Sequence, residues 1–287
     1  LQLMSKKNLV LGYDLNEKLM DVTKFKKYSS LDVSFMHICI PFTKNFVATV
    51  VSYYKKFKPK CIVIALPGCS FSNEFLKSWT ETLFVLFDRK YRVIISCEYS
   101  SFVPFSRMNT LGLDVGRGPN QKPFNGELDY DVWLTIDSDI IFKPQQVLEL
   151  IENTEKYPIV SGLYMMKDMK HFACVRDWNE EYFLKNRSFQ FITPEDVKIY
   201  KEESKSDFMK VSYNGMGFFA CRRGVIETIK YPYFYRELQT IKDKDGNTVM
   251  VDMCSEDVAF CKNLIDAGHS IYVNCNLHVG HEKNLII

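Results

Sequence analysis

Two carboxylates interrupt a run of residues that otherwise belongs in a core. The stretch is DYDVWLTIDSDIIF, residues 129–142, in which Val132, Trp133, Leu134 and Ile136 lead into Asp137 and Asp139 before Ile140, Ile141 and Phe142 resume. Charge at the edge of a core is costly unless solvent, a helix terminus or a metal ion compensates it. Side chains alternate along a strand, so Asp137 and Asp139 point the same way if the backbone stays extended. Two carboxylates so placed can hold a hard divalent cation and leave its other positions to phosphate oxygens and water. Asp-x-Asp alone is common, and a turn cap beside a solvated acid is the plainer alternative. A second acidic pair, Glu256-Asp257, follows Ser255 and opens a run of helical spacing, where acids also favour the macrodipole without any chemistry. Two histidines, His278 and His281, lie close together in the last segment, and His281 taken alone reads as an ordinary loop histidine.

Positioning these groups needs a sheet and helices, and the patterns supply both. CIVIAL (61–66) reads as a buried strand, PGCSFS (67–72) as a turn, and residues 73–88 as a helix with Phe75, Trp79, Leu83, Leu86 and Phe87 as its apolar set. YRVIISC (91–97) is the next strand, which makes a β-loop-α-β opening with a right-handed crossover. Residues 98–129 read as a long irregular loop containing Arg107, and such loops are usually functional. After the Asp-x-Asp stretch, Pro144 starts a helix, and PIVSGLYMM (158–166) is another strand. Residues 167–210 are polar, with a helix start at Thr193-Pro194-Glu195-Asp196. VSYNGMGFFACRRGVIETI (211–229) reads as strand, glycine turn, strand and helix. SEDVAFCKNLIDAG (255–268) has a serine N-cap and a glycine stop, and SIYVNCNLHVGHEK ends in a strand and a histidine-bearing loop. Upstream, VSFMHICI (33–40) is a strand candidate followed by an amphipathic stretch, and Lys58-Pro59-Lys60 is a junction. The expected organisation is an accessory segment over 1–58 and a main domain over 59–287.

Composition narrows the partners. With 287 residues and a formal net charge of +2, the chain has no strong field to attract nucleic acid or an anionic membrane. The nine cysteines form no Cys-x-x-Cys pair, and the apolar surroundings of Cys61, Cys97 and Cys221 predict buried reduced thiols in a reducing compartment. No apolar run is long enough to span a bilayer, and the first residues lack the core of a signal peptide, so a cytoplasmic protein without a transmembrane segment is expected.

The order of the motifs carries a family resemblance over residues 60–285. QKPFNGELDYDVWLTIDSDIIFKPQQVLELI, PIVSGLY, YNGMGFFACRRGVIE, CSEDVAFCKNLIDAG and VGHEK together resemble GT-A glycosyltransferases, in a family-2-like branch common in phages and large DNA viruses. The resemblance implies an α/β fold of GT-A type: an open, mostly parallel twisted sheet flanked by helices, with a Rossmann-like nucleotide-binding half and an acceptor half. It implies transfer of a sugar from a UDP- or GDP-sugar to a hydroxyl of a glycan or glycoprotein, with Mn²⁺ or Mg²⁺ as cofactor and, for a viral chain, the host cytoplasm as the place. Asp137 and Asp139 take the place of the pair that binds ribose and metal-diphosphate, and His281, or else His278, that of a third metal ligand. Asp257 takes the place of the general base of inverting enzymes, with Glu256 orienting the acceptor. Pro67, Glu98, Arg107, Ser138, Gly215 and Gly217 fall on the donor side. Gly215 and Gly217 either admit the sugar diphosphate or only build a turn.

Three other classes are weighed against this one. A sugar-phosphate nucleotidyltransferase needs a glycine-rich, arginine-bearing loop after the first strand, where PGCSFS has one glycine and no arginine. A dinucleotide-dependent dehydrogenase lacks its Gly-x-Gly-x-x-Gly. A catalytically silent nucleotide-sugar-binding protein on the same fold is the remaining alternative, since fold does not guarantee activity.

Overall fold

The computed structural model describes residues 59–283 and the backbone of three short strands near the N-terminus. The chain divides into two units, Leu1–Lys58 and Pro59–Ile287. In the first, β1 (Gln2–Met4), β2 (Leu9–Tyr13) and β3 (Leu19–Asp21) form an antiparallel sheet in that order. The strand expected at 33–40 and the amphipathic stretch after it lie outside the described residues.

The second unit is built on β4 (Cys61–Pro67), whose neighbours are β5 (Arg92–Glu98) and β6 (Val132–Ile136), both parallel to it. Beyond β6, β12 (Phe218–Arg222) runs antiparallel, then come β8 (Ile159–Leu163), β15 (Ile271–His278) and, antiparallel at the far edge, β10 (Phe208–Val211). The order is β10-β15-β8-β12-β6-β4-β5, and only β12 and β10 oppose the other five strands. The α/β class and the open, mostly parallel sheet expected of a GT-A type fold are therefore what the chain forms.

Strand alternation divides the core between the two faces. Ile62, Ile64 and Leu66 pack with Val132, Leu134 and Ile136 under α1 (Asn73–Asp88) and α3 (Pro144–Asn153). Cys61, Val63 and Ala65 pack with Trp133, Phe219, Phe260 and Leu264 on the face that carries α2 (Val103–Thr110) and α6 (Glu256–Asp266). Ser72 caps α1 by accepting from the Phe75 amide at 3.1 Å, and Pro144 occupies the first turn of α3. The segment 167–210 contains β9 (Cys174–Val175), α4 (Glu180–Asn186) and α5 (Pro194–Ser204), whose start is the expected one: Thr193 and Asp196 form a reciprocal capping box.

Several expectations are corrected. Residues 98–129 are not irregular throughout, because α2 fills 103–110 with Pro104 in its first turn, and short 3-10 turns follow. The stretch 211–229 ends in one 3-10 turn, Ile226–Thr228, rather than a helix, while β11 (Tyr213–Asn214) pairs with β9. Phe87 is more than half exposed on α1, and Cys97 is exposed because β5 is an edge strand. The eight described cysteines are thiols rather than disulfides, and six of them are buried. Among the described residues no helix is long and apolar enough to cross a membrane.

Candidate functional site

The backbone does not stay extended through the Asp-x-Asp motif. β6 ends at Ile136, the Ile140 amide donates to the Asp137 carbonyl at 3.1 Å, and the chain turns before β7 (Ile140–Ile141). That turn sends the two carboxylates to different partners, so the expectation that they share one face is corrected.

Asp137 meets Arg107. The guanidinium projects from α2 and is 5% exposed, and its two terminal nitrogens donate to the two Asp137 oxygens at 3.0 Å each. A planar fork matched to a carboxylate is the strongest form of this contact. Its third nitrogen, Nε, reaches Glu256 Oε1 at 3.5 Å. Burial works against the charge on Arg107, but Asp137, Asp257 and Glu256 outweigh it and raise the affinity of the guanidinium for its proton. Arg107 thus joins the end of β6 to the N-terminus of α6.

Asp139 faces the other way. Its Oδ2 accepts from Lys283 Nζ at 2.5 Å and lies 3.1 Å from His281 Nε2. Burial pushes the Asp139 carboxyl up, yet His281 and Lys283 together hold it down at about 2. His281 belongs to β16 (Gly280–His281), which pairs with β7 and so brings the ring onto the motif. Its Nδ1 lies 2.7 Å from the Met165 carbonyl, which can only accept, so Nδ1 carries a hydrogen. Nε2 therefore donates to Asp139, and holds that carboxyl down, only in the doubly protonated ring; in the neutral ring it presents a lone pair to the carboxylate oxygen, and a cation between the two acceptors would satisfy both. His278 is elsewhere: its Nε2 lies 2.8 Å from the Cys275 carbonyl and its ring sits edge-on to Phe172.

A divalent cation between Asp139 and His281 would take the place that the Lys283 ammonium now holds on Oδ2, while Asp137 is engaged by Arg107. Among the described residues no three His, Cys, Asp or Glu side chains converge as a metal cluster. A cation held by Asp139 and His281 would fill its remaining positions from outside the protein.

Asp257 stands in the first turn of α6, held on both oxygens. Tyr213 donates to Oδ2 at 2.9 Å, and the Ser255 hydroxyl makes a short hydrogen bond to Oδ1. Ser255 sits at the N-cap position but its side chain caps no amide; it braces Asp257 instead, which corrects its expected role. Glu256 is buried against Arg107. Tyr213 and Tyr164 are both pushed well above the usual phenol range, first by burial and then by Asp257 and Asp137 respectively.

The other residues expected on the donor side are spread around this centre. Ser138 packs against Gly68, where a side chain would come within 2.8 Å of the serine Cβ, so the loop after Pro67 lies directly on the motif. Glu98 is exposed at the end of β5, and its carbonyl accepts from the Gly68 amide at 3.1 Å. Gly215 and Gly217 are buried, and the space beside them is taken by the Tyr164 ring, whose hydroxyl accepts from the Gly217 amide at 3.1 Å. Sequence reasoning misses Tyr164, Tyr213 and Lys283. All three lie in the quoted motif blocks, but nothing in their spacing says that a hydroxyl or an ammonium will face a carboxylate.

No protein-family model matches the chain, and no curated protein does. Among solved structures it is similar to mannosyl-3-phosphoglycerate synthase from Rubrobacter xylanophilus, at 9% identity and a TM-score of 0.30, over 72% of this chain and 88% of that one.

Proposed function

We propose that the chain is a metal-dependent glycosyltransferase of the family-2-like GT-A kind, the branch of phages and large DNA viruses, acting in the cytoplasm. It takes a sugar from a UDP- or GDP-sugar to a hydroxyl of a glycan or glycoprotein, with inversion. The observation that carries the reading is Asp257: a carboxylate at a helix N-terminus, braced on both oxygens by Tyr213 and Ser255, whose neighbour Glu256 is linked through Arg107 to the Asp-x-Asp turn.

In this reading the acceptor hydroxyl approaches Asp257. The bond from its oxygen to the anomeric carbon forms as the bond to the diphosphate oxygen breaks, and the hydroxyl proton passes to the carboxylate. Tyr213 and Ser255 fix the direction of that carboxylate, which removes a rotational cost from the proton transfer. Arg107 holds Asp137 and Glu256 in place for the donor ribose and the acceptor. Asp139 and His281 would hold Mn²⁺ or Mg²⁺, which when bound supplies Lewis-acid stabilisation of the charge on the departing nucleoside diphosphate. Pro67, Ser138 and Glu98 line the donor side, and residues 1–58 are accessory, so a chain starting at Pro59 is expected to keep donor binding.

The test is a panel of UDP- and GDP-sugars with Mn²⁺, read as hydrolysis and transfer, with Asp257→Asn beside the wild type. Donor binding should stay near wild type while transfer falls by about a hundredfold or more, the size expected for loss of a general base. Wild-type transfer by Asp257→Asn would place the base elsewhere. Binding of a nucleotide sugar with neither hydrolysis nor transfer would favour the silent binding protein. Transfer that survives chelation would put Lys283 in the metal's place.

A further inference from the structure

Beside Asp257 lies a groove of about 530 Å³. One wall is aromatic, with Trp178, Phe183 and Phe189. The lining also takes in the hairpin of β13 (Leu238–Lys242) and β14 (Thr248–Met253), which contributes Gln239 and Asp252 together with Ile241, Met250 and Met253, and it includes Ser255. Asp257 is not part of the lining, but Ser255 is, and its hydroxyl donates to Asp257, so one hydrogen bond links the groove to the carboxylate that the proposed function makes the base. Trp178 is 38% exposed. Its ring meets Phe189 edge-on at 5.3 Å and stacks over Tyr213 at 6.4 Å, and Tyr213 donates to Asp257. One aromatic ring therefore separates the exposed indole from the base.

The chemistry of the lining selects the occupant. An exposed indole backed by other rings offers a flat, electron-rich face to C–H groups, and the amide and carboxylate side chains of the same lining offer partners to hydroxyls. Charges along the groove nearly cancel, with Glu180, Asp252 and Asp266 against Arg187 and Lys262, which suits a neutral ligand better than an anionic one. Its volume falls within the roughly 300–1,000 Å³ of small-molecule sites. We propose that this groove is the acceptor subsite and that its occupant is a neutral saccharide, with one pyranose ring lying on Trp178 and the next hydroxyl directed past Ser255 to Asp257. The placement of that hydroxyl rests on the transferase reading; saccharide binding itself does not.

The full chain, without donor, is titrated with cellotetraose, maltotetraose, mannotriose and tri-N-acetylchitotriose. Binding is followed by tryptophan fluorescence and by saturation-transfer NMR. At least one saccharide should bind. Trp178→Ala should weaken binding about tenfold or more, as expected for loss of an aromatic anchor, and Trp178→Phe should restore part of it. Circular dichroism and thermal midpoints of both variants control for folding. If no member of the panel binds, or if binding is the same in Trp178→Ala, the groove is not a saccharide site. Nucleotide-sugar hydrolysis by the wild type is measured in parallel. Hydrolysis without Trp178-dependent saccharide binding overturns the groove and leaves the transferase reading intact. Trp178-dependent saccharide binding without use of any donor does the reverse.

Discussion

Asp137 and Asp139 are two residues apart, yet one is locked and the other is available. Asp137 faces a buried guanidinium in a two-point contact, with 27% of its own side chain exposed. Asp139 is 42% exposed and shares one oxygen between a lysine and a histidine near the chain's end. A buried pair cannot give up one partner without leaving a stranded charge, whereas an exposed pair exchanges its partners with water and ions. In the proposed function this becomes a division of labour: the Arg107 side would maintain the geometry of the turn, and the Asp139 side would meet ligands.

The largest expected effect is on the locked side. Arg107→Met leaves Asp137 and Glu256 facing each other without their cation. Breaking a buried pair costs about 3–5 kcal/mol, and the partial exposure of Asp137 puts the expectation at the lower end. A urea midpoint implying less than about 1 kcal/mol, the range of surface pairs, would break the contrast. Next comes Tyr164→Phe, which removes the acceptor of the buried Gly217 amide and should cost about 1–3 kcal/mol by the same measurement.

On the available side the stability effect should be small and the functional effect large. Lys283→Ala should shift stability by no more than about 1 kcal/mol. Asp139→Ala should abolish both activity and Mn²⁺-dependent thermal stabilisation by a nucleoside diphosphate. Unchanged metal dependence in that variant would remove Asp139 from the metal site.

The smallest effect concerns pH. The folded Asp139 carboxyl lies at about 2 against an ordinary 3.8. A folded value below the unfolded one means that the contribution to stability is present above about pH 4 and is lost as pH falls through about 2. Carbon-detected NMR should find the Asp139 midpoint near 2, and Lys283→Ala should move it back up. A midpoint near 3.8 in the wild type would mean that His281 and Lys283 do not hold this carboxylate in solution.

Much of the frame is legible in the sequence because its signals are local. The apolar run CIVIAL, the spacing of 73–88, Pro144 and the helix start at Thr193 each act within a few residues, and each produces the expected element. α2 is hidden for a physical reason: it has no side-chain cap, and its inward positions mix Pro104 and Met108 with Ser106, Arg107 and Thr110, so no apolar stripe marks it. The exposure of Cys97 and Ile95 is equally hidden, because an apolar strand reads alike in the centre and at the edge of a sheet, and only the strand order shows that β5 is an edge.

The same limit divides the site. From the sequence alone come the carboxylates at a strand end, the acidic first turn of α6 and a late histidine, because residue type and position within an element decide those. Which charge each carboxylate faces is decided by tertiary structure. Arg107 reaches Asp137 across 30 residues, Lys283 reaches Asp139 across 144, and the β7–β16 pairing places His281 rather than His278 on the motif. Opposite charges attract over any sequence separation, so composition supplies the candidates, and only the packed sheet brings particular pairs within contact distance, where the energy is decided.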